Sequence, residues 1–291
     1  MNPVNLKLQV VRLKRQDRIF WIVGLLALIF ALLTLLSLMI DMTMTGWPRI
    51  SPLFFTSFAS RFPEKAGILA AWVGSFCVMV VTATLAIPLG IASGIFLEEY
   101  AKKNIWTKII EVNILNLAGI PSITYGLMAL GIFVYKMHLG QSILTAGLTL
   151  GLLILPIIIV TTREAIRTIP SHIREASYSL GATKWQTVWN HIIPYSSGGI
   201  MTGVVIALSR AIGETAPLIT VGALTFIAFL PTGLLDPYTV MPIQMFSWVS
   251  RPQEEFHVNA AAAGLVLLVM TLFLNAAAIF IRYRFRKRYK W

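Results

Sequence analysis

Two opposite charges, Arg210 and Glu214, stand one helical turn apart inside an otherwise apolar stretch of the chain. A charged side chain at bilayer depth costs about 2.5–3.5 kcal/mol on insertion scales, so a charged residue in a membrane span usually has a function. Three interpretations fit the spacing. The two charges form an internal ion pair that only packs the bundle, or they pair with a second membrane subunit across an interface. In the third, Arg210 meets an anion in a path while Glu214 holds the arginine in position or repels the wrong charge.

The residues after this pair favour an anion as the solute. Pro217, which follows Thr215 and Ala216, predicts that the helix breaks and that a new half-helix starts there. The N-terminus of a half-helix presents free N–H groups and positive dipole charge, which suit phosphate-like groups. The planar fork of an arginine binds such oxygens in pairs. The local chemistry therefore favours an oxyanion over a sugar, a metal ion or a peptide.

A polar loop, residues 163–194, separates two long apolar stretches. Pro170 opens a short helical pattern and Gly181 closes it, which is the usual asymmetry of helix ends. A second helical pattern follows and ends near Pro194. Two short helices hinged at a glycine predict either a docking surface for a soluble partner or an amphipathic loop on the bilayer. The residues at helical spacing are Ile173, Ala176 and Leu180 in the first pattern and Trp185, Val188, Trp189 and Ile192 in the second.

The composition is that of a membrane protein. Of the 291 residues, 57% are hydrophobic and 12% are charged, and the mean hydropathy is +0.76. A soluble domain of this length would need far more polar surface. Runs longer than the roughly 20 residues that span hydrocarbon explain the excess. They are 19–40, 66–97, 112–135, 139–162 and 258–281, with a sixth, 192–235, that is interrupted only by Arg210 and Glu214.

These runs predict six transmembrane helices with both ends of the chain in the cytoplasm. In the sixth run we place one span from about Ser196 and treat 218–235 as a partly re-entrant or surface-packed periplasmic segment, since a seventh span would put the basic tail outside. Most of the 24 Lys and Arg residues then face the cytoplasm, so the net charge of +12 orients the chain and does not indicate nucleic acid. The basic residues on the other side are Arg49, Arg61, Lys65, Lys136 and Arg251.

No motif in the sequence indicates catalysis. Cys77 is the single cysteine and lies in a predicted span, and the four histidines are scattered across loops. The sequence has no Gly-x-x-x-x-Gly-Lys-Ser/Thr loop for ATP. We therefore expect no enzyme activity, no metal site and no cofactor in this chain, and energy input from another subunit.

Glycine and proline predict how the spans pack and bend. Gly-x-x-x-Gly pairs in three different spans allow close approach of helices. Prolines in four spans bend their helices, which suits a path that opens and closes but is also common in membrane helices generally. The first span has no proline and is predicted to be a peripheral helix beside a five-span core. The pairs are Gly90/Gly94, Gly147/Gly151 and Gly199/Gly203, and the prolines are Pro88, Pro121, Pro156 and Pro217.

The polar loop resembles the EAA loop of ABC-importer permeases. The resemblance rests on Glu175-Ala176-Ser177, on Gly181 and on Pro194. Ser177 stands where the family usually has a third small residue, most often alanine, and Ile-Ile-Pro replaces the more usual end of the motif. In that family the loop contacts the ATPase subunit. The resemblance therefore implies ATPase coupling by Glu175, Ala176, Ser177, Leu180, Gly181 and Ala182.

Three further motifs resemble the PstA-type permease subunits of bacterial phosphate ABC importers. They are Arg210-Ala-Ile-Gly-Glu-Thr-Ala-Pro217, Gly119-Ile-Pro-Ser-Ile-Thr-Tyr-Gly126, and Ile87-Pro-Leu-Gly90 with Glu98-Glu99-Tyr100. The match runs from about residue 66 to residue 282. This resemblance implies a heterodimer with a PstC-like permease, a PstB-like ATPase dimer and a PstS-like periplasmic phosphate-binding protein.

The same resemblance implies inorganic phosphate as the cargo. Arg210 would then lie on the phosphate path, together with Glu214 and Thr215. Ser122 and Tyr125, in the turn that begins at Pro121, either line the same path or merely allow tight packing of the helices.

The expected protein is an all-α, polytopic membrane protein with six transmembrane helices and the type I ABC importer (MetI-like) permease fold. We place it in the bacterial inner membrane, in contact with membrane lipid. Its predicted segments are a cytoplasmic tail (1–18), a peripheral helix (19–40), a permease core (66–282) with the coupling loop 163–194, and a basic cytoplasmic tail (283–291). The alternatives are the same architecture for sulfate or molybdate, and a non-transporting membrane component of phosphate signalling.

Overall fold

The computed structural model of the chain describes residues 3–288, with the side chains of residues 13–280 and 282–284. Every regular element in this part of the chain is a helix. Of the predicted basic tails, the side chains of Lys7, Arg12 and the residues after Arg284 lie outside the described residues. The α-helices are α1 (Pro3–Gly46), α2 (Pro52–Thr56), α3 (Leu69–Ile95), α4 (Ile105–Ala118), α5 (Ser122–Ala129), α6 (Ile143–Arg167), α7 (Ser171–Ser179), α8 (Lys184–Thr187), α9 (Ile193–Ile212), α10 (Ala216–Thr220), α11 (Met241–Val249) and α12 (Glu254–Arg288).

Five helices of the described part are long and apolar enough to cross a membrane, and a bent pair brings the number to six. The five are α1, α3, α6, α12 and the continuous helix Lys184–Ile212. The predicted all-α, polytopic architecture is therefore confirmed.

The predicted span 112–135 is a pair of helices with a sharp bend between them, as expected from Pro121. Helices α4 and α5 meet at residues 119–121 with a bend of 104°. Pro121 donates no backbone hydrogen bond and disfavours the helical conformation of the residue before it, so the helix ends at this point. A run of apolar residues shows that a segment can lie in the membrane, but it does not show that the segment forms one straight helix.

Helices α3, α6 and α9 form the packed centre of the bundle, with α6 between the other two. Glycines set the distance of approach. A Cβ atom at Gly90 would lie 2.6 Å from Ile158, and one at Gly203 would lie 1.9 Å from the Oγ1 atom of Thr161. Gly151 is less crowded, because its Cβ would lie 3.9 Å from the nearest atom. Two of the three Gly-x-x-x-Gly pairs thus meet a neighbouring helix at both glycines.

Helix α1 lies at the edge of the bundle and packs mainly against α12. Its membrane-length stretch is unburied within this chain. At its end, Gly46 lets the two helices touch, since an added Cβ would lie 2.6 Å from the backbone nitrogen of Ala262. The rest of α1 offers an apolar surface to the membrane.

The segment after α9 packs on the bundle and does not cross it. Helix α10 is five residues long, and residues 221–240 contain no further helix. Leu144 at the start of α6 donates its N–H to the carbonyl of Leu234 (2.8 Å), and Leu224 donates to Tyr238 (3.0 Å), whose side chain is fully buried. Of the two predicted arrangements of 218–235, the contacts correspond to the surface-packed one.

Candidate functional site

Helix α7 ends where the sequence predicts, at Gly181. The backbone φ angle of this glycine is +81°, a region that side-chain-bearing residues rarely adopt. Its N–H donates to the carbonyl of Tyr178 (2.9 Å), and the N–H of Ala182 donates to Ser177 (3.2 Å). The glycine therefore closes the first helix and reverses the chain.

The second predicted short helix is instead the first part of a membrane span. A capping box between Thr183 and Gln186 starts α8, and the helix continues through a π-helical turn, Val188–Ile192, into α9. Pro194 lies in the first turn of α9, directly after the π turn, and does not interrupt the helix. A local change of hydrogen-bond register can accommodate a residue that cannot donate. A movement of this part of the loop is thus a movement of the span itself.

Large apolar side chains of the loop face outward. Leu180 is 89% exposed, and Trp185 and Trp189, at 63% and 59%, stack on each other with ring centroids 5.6 Å apart. A group of exposed apolar side chains of this size usually marks an interaction site. We call the exposed residues of this loop the coupling surface: Glu175, Ala176, Tyr178, Leu180, Gly181, Trp185 and Trp189.

Two residues of the loop point inward, contrary to the sequence interpretation. Ser177 is buried, and its hydroxyl lies 2.8 Å from that of Thr187, which ties α7 to α8. Ile173 packs against a cluster that includes Val188 and Ile192, and so it does not share the exposed face of Leu180. Burial of a branched apolar side chain under the loop decides the orientation of α7. Ser177 is placed to hold the loop together, and Ala182 is half-buried.

An inner charge cluster lies beneath the loop. It consists of Glu98, Glu99, Glu111, Arg163, Arg167 and Arg174, which come from α4, α6, α7 and the π-helical turn Phe96–Tyr100 after α3.

Arg163 is the centre of this cluster. Its side chain is 7% exposed and reaches Glu111 (Nη2 to Oε1, 2.6 Å) and Glu98 (Nε to Oε2, 3.3 Å). Arg167 also reaches Glu98 (3.0 Å) and pairs with Glu164 on its own helix. These pairs join α4 and the C-terminal part of α6 to the π-helical turn that follows α3.

Arg174 adds α7 to the cluster. Its Nη2 atom lies 2.6 Å and its Nε atom 3.0 Å from the Oε1 atom of Glu99, whose side chain is 6% exposed. The guanidinium also donates to the carbonyls of Ile169 (2.9 Å) and Ile166 (3.3 Å) at the end of α6. One side chain thus connects three elements.

Charge counting in the sequence used these arginines only to orient the chain and missed their contacts. Two signals were available. Adjacent carboxylates, Glu98 and Glu99, directly follow a long apolar run, and Arg163 and Arg167 are spaced i,i+4, on one helix face. The sequence offered no sign of which carboxylate meets which arginine.

The outer pair, Arg210 and Glu214, lies at the other end of α9. The Nε atom of Arg210 is 3.2 Å from the Oε1 atom of Glu214, and the two side chains are 39% and 17% exposed. Among the described residues, the two terminal nitrogens of Arg210 have no hydrogen-bond partner. The predicted ion pair forms, but its arginine lies on the outside of this chain and not within the bundle.

Arg210 lies far from the loop end of the span. It is fourteen positions after Ser196, which corresponds to about 21 Å along a helix axis. Ile206, one turn earlier on the same side of α9, is also exposed.

The turn that begins at Pro121 packs directly beside this pair. A Cβ atom at Gly126 would lie 1.8 Å from the Oγ1 atom of Thr220 and 2.7 Å from the Cα atom of Pro217. Helix α5 therefore rests on α10, and two motifs distant in sequence meet. For Gly126 the role is tight packing, which was one of the two alternatives.

Tyr125, Ser122 and Thr215 surround this contact in different ways. Tyr125 is 6% exposed, and its hydroxyl donates to the carbonyl of Leu117 (2.8 Å) across the α4–α5 break. It is close enough to Arg210 for an electrostatic interaction. Ser122 and Thr215 are each half-buried. The hydroxyl of Tyr125 is thus occupied in bridging a helix break.

The predicted half-helix forms, but its end offers little to an anion. Helix α10 has one turn, and Pro217 has no N–H. The N–H groups of Leu218 and Ile219 already donate to the carbonyl of Thr215 (3.1 and 3.0 Å). Arg210, in contrast, keeps N–H groups without a partner among the described residues.

Apolar spans around a packed three-helix centre, with a helical loop exposed at one end, define a polytopic permease-type membrane protein. The family model of the binding-protein-dependent transport system inner membrane component matches residues 86–291, and the chain belongs to that family. It is therefore a multi-pass permease subunit of a bacterial ABC importer. The family implies an ATPase and a substrate-binding protein as partners.

Relatives and solved structures agree with this assignment. The chain is 30% identical over 267 residues to the phosphate transport system permease protein PstA of Haemophilus influenzae, covering 92% of this chain and 90% of the relative. It is 28% identical to PstA 1 of Mycobacterium tuberculosis, covering 88% and 84%. A bacterial ABC transporter that imports the acidic polysaccharide alginate matches with a TM-score of 0.68 at 16% identity, covering 93% and 96%. That likeness concerns the fold alone, which is the type I importer permease (MetI-like) fold.

Proposed function

We propose that this chain is the permease subunit of an importer that moves inorganic phosphate inward across the bacterial inner membrane. Its partners are a PstC-like permease, a PstB-like ATPase dimer and a PstS-like phosphate-binding protein. ATP hydrolysis belongs to the ATPase, and both termini of this chain lie in the cytoplasm. The names of relatives at about 30% identity support the cargo.

The observation that carries the proposal is the exposed guanidinium of Arg210. An arginine facing lipid costs free energy, so the α9 face that bears it borders either a second permease subunit or a water-filled path. Terminal nitrogens without protein partners are available to the oxygens of a passing phosphate. Glu214 accepts the Nε–H of Arg210, which leaves the two terminal nitrogens of the guanidinium directed away from this carboxylate.

A soluble anion needs this arginine more than a neutral solute does. The arginine supplies charge-assisted hydrogen bonds to an oxyanion, while the carboxylate of Glu214 repels an anion that approaches from its side. Thr215 and Ser122, both half-buried near the break, add hydroxyl groups to the same path. The pair therefore selects by charge and geometry without closing the path.

The coupling surface receives the movement that ATP drives in the ATPase. The ATPase docks on the exposed residues of α7 and α8, and its ATP-driven closure pulls on residues 175–181. Because α8 continues into α9, the pull acts on the span that carries Arg210. The spans then rock so that the path faces outward and receives phosphate from the binding protein, and hydrolysis resets them.

Reconstitution in liposomes tests the cargo. The chain is assembled with the three partners, and ATP-dependent phosphate entry is measured with loaded binding protein outside. We expect entry that excess sulfate and molybdate do not reduce. Competition by either anion would point to another oxyanion, and assembly without phosphate-stimulated ATPase activity would point to a signalling component.

Substitution at Gly181 tests the coupling role. Proline cannot adopt a φ angle of +81°, so Gly181→Pro should disrupt the turn and uncouple ATP hydrolysis from uptake. The matched control is Gly181→Asn, because asparagine tolerates this backbone conformation. Normal coupling in the proline variant would exclude the loop as the coupling element.

A further inference from the structure

We propose that the ion pair between Arg174 and Glu99 transmits movement of the coupling surface to α3 and α6. The proposal rests on the proposed function of α7 as the ATPase contact. It assigns a positioning role to two residues that touch neither ATPase nor solute. Without them, α7 would keep the apolar packing of Ile173 and the hydrogen bond of Ser177, but no charged contact with the turn after α3.

The geometry shows why this pair is a mechanical link. Arg174 is the residue before the exposed Glu175, so it lies directly behind the coupling surface. Two of its nitrogens reach one carboxylate oxygen of Glu99 at 2.6 and 3.0 Å. A forked, charge-assisted contact is both strong and directional. A displacement of α7 therefore displaces the turn that ends α3.

The same guanidinium also holds the end of α6. Its contacts with the carbonyls of Ile169 and Ile166 satisfy groups that a helix end leaves without partners. Helix α6 is in turn bound to α3 and α4 through Arg163. The turn after α3, helix α4 and the C-terminal part of α6 are thus connected to α7 through charged side chains.

The side-chain hydrogen bond under the loop has a different reach. Ser177 and Thr187 join α7 to α8 through one neutral hydrogen bond. Helix α8 already follows α7 in the chain across a short turn. The link from α7 to α3 bridges 75 positions of sequence, so no covalent connection replaces it.

A double variant separates transmission from stability. Removal of one partner leaves a buried, uncompensated charge, which destabilises a protein strongly, whereas removal of both relieves that penalty. Glu99→Gln together with Arg174→Met should therefore assemble with its partners where either single variant does so poorly. The matched control is Glu164→Gln, which loses the same charge from an exposed pair within one helix.

The measured quantities are assembled complex and ATP hydrolysed per phosphate imported in liposomes. We expect normal assembly of the double variant with a ratio about tenfold higher than that of the unaltered chain, in the range of ordinary coupling free energies. Glu164→Gln should match the unaltered chain. Restored assembly with a normal ratio would show that the pair is only structural and would overturn the proposal.

Two further outcomes are decisive. Should the double variant not assemble, Arg174→Lys replaces it, since lysine keeps the charge but lacks the fork that reaches α6. An unchanged ratio in that assembled variant overturns the proposal. Absence of phosphate entry with the unaltered chain would contradict the proposed function, and the transmission role with it. Failure of the pair alone leaves transport by the unaltered chain intact.

Discussion

The inner charge cluster and the outer pair are built from the same two kinds of side chain and differ in almost every other respect. The inner cluster joins four elements, and its central Arg163 is 7% exposed and meets two carboxylates. The outer pair joins the last turn of α9 to the residues just after it, and Arg210 is 39% exposed and meets one carboxylate. Charges that are fully paired across helices stabilise an arrangement. An arginine whose terminal nitrogens have no protein partner can still bind another group.

The two groups of charges also differ in how much stability is lost when one partner is removed. A buried ion pair is expensive to break, because the remaining charge has no solvent. An exposed pair between residues one turn apart contributes less than about 1 kcal/mol to stability. Arginine therefore connects several elements in the inner charge cluster, whereas Arg210 in the outer pair keeps an exposed guanidinium.

Arg163→Leu should have the largest effect on stability. The substitution leaves Glu98 and Glu111 without their shared partner, and breaking buried pairs costs about 3–5 kcal/mol. Thermal unfolding in detergent should shift strongly downward, and the yield of folded protein should fall. Arg163→Lys is the control, since it keeps one charge. A variant as stable as the unaltered chain would contradict the structural role of the cluster.

Arg210→Ala should reduce phosphate entry by at least about tenfold, because a lost hydrogen bond to a charged group is worth roughly 1.5–3 kcal/mol. Its thermal unfolding should stay close to that of the unaltered chain. Arg210→Lys should be intermediate, as it keeps charge without the fork. The comparison with the inner cluster breaks down if Arg210→Ala unfolds like Arg163→Leu while its uptake per folded complex is normal.

Gly126→Ala tests the packing beside the outer pair. The added methyl group would collide with Thr220 and Pro217, and overpacking costs typically about 1–3 kcal/mol. Gly131→Ala, in the π-helical turn that continues α5, adds the same group to open space and should be neutral or slightly stabilising. Thermal unfolding of the two variants should therefore shift in opposite directions. Equal shifts would mean that α5 does not rest on α10.

The smallest expected effect concerns Asp236. Its carboxylate is held by backbone and hydroxyl hydrogen bonds and not by an arginine. Hydrogen bonds from the backbone N–H of Thr232 and of Gly233, then from the Thr232 hydroxyl, lower the pKa of Asp236. A lowered pKa stabilises the folded loop above the ordinary aspartate pKa, and this contribution is lost as the pH falls through the lowered value. The amides of Thr232 and Gly233 should exchange faster with solvent in acid, after correction for intrinsic exchange.

The control for this loop is Asp236→Asn, which keeps an oxygen acceptor but carries no charge. Its protection should be weaker and should not depend on pH in the acid range. Equal pH dependence in both proteins would show that another group titrates.

Much of the fold could be predicted from the pattern of apolar residues. Long charge-free runs require membrane helices, because lipid offers no hydrogen bonds to other backbone forms. Gly181 and Pro217 marked a reversal and a break, since glycine and proline act on the backbone locally. The sequence predicted a bend at Pro121 but not that the helix ends there, because a proline can also lie within a continuous helix, as Pro88 and Pro156 do. Neighbouring helices decide between these outcomes.

The amino-acid sequence by itself determined the class of protein, the membrane spans, the family and the presence of a lone arginine in an apolar run. These depend on solvent preference and on local backbone chemistry, which are properties of single residues and short segments. Only the tertiary structure decided that Ser177 points inward, that Arg174 meets Glu99, and that Arg210 stays exposed. Each of these depends on which distant surfaces meet, and contact between distant side chains is set by the packing of whole helices.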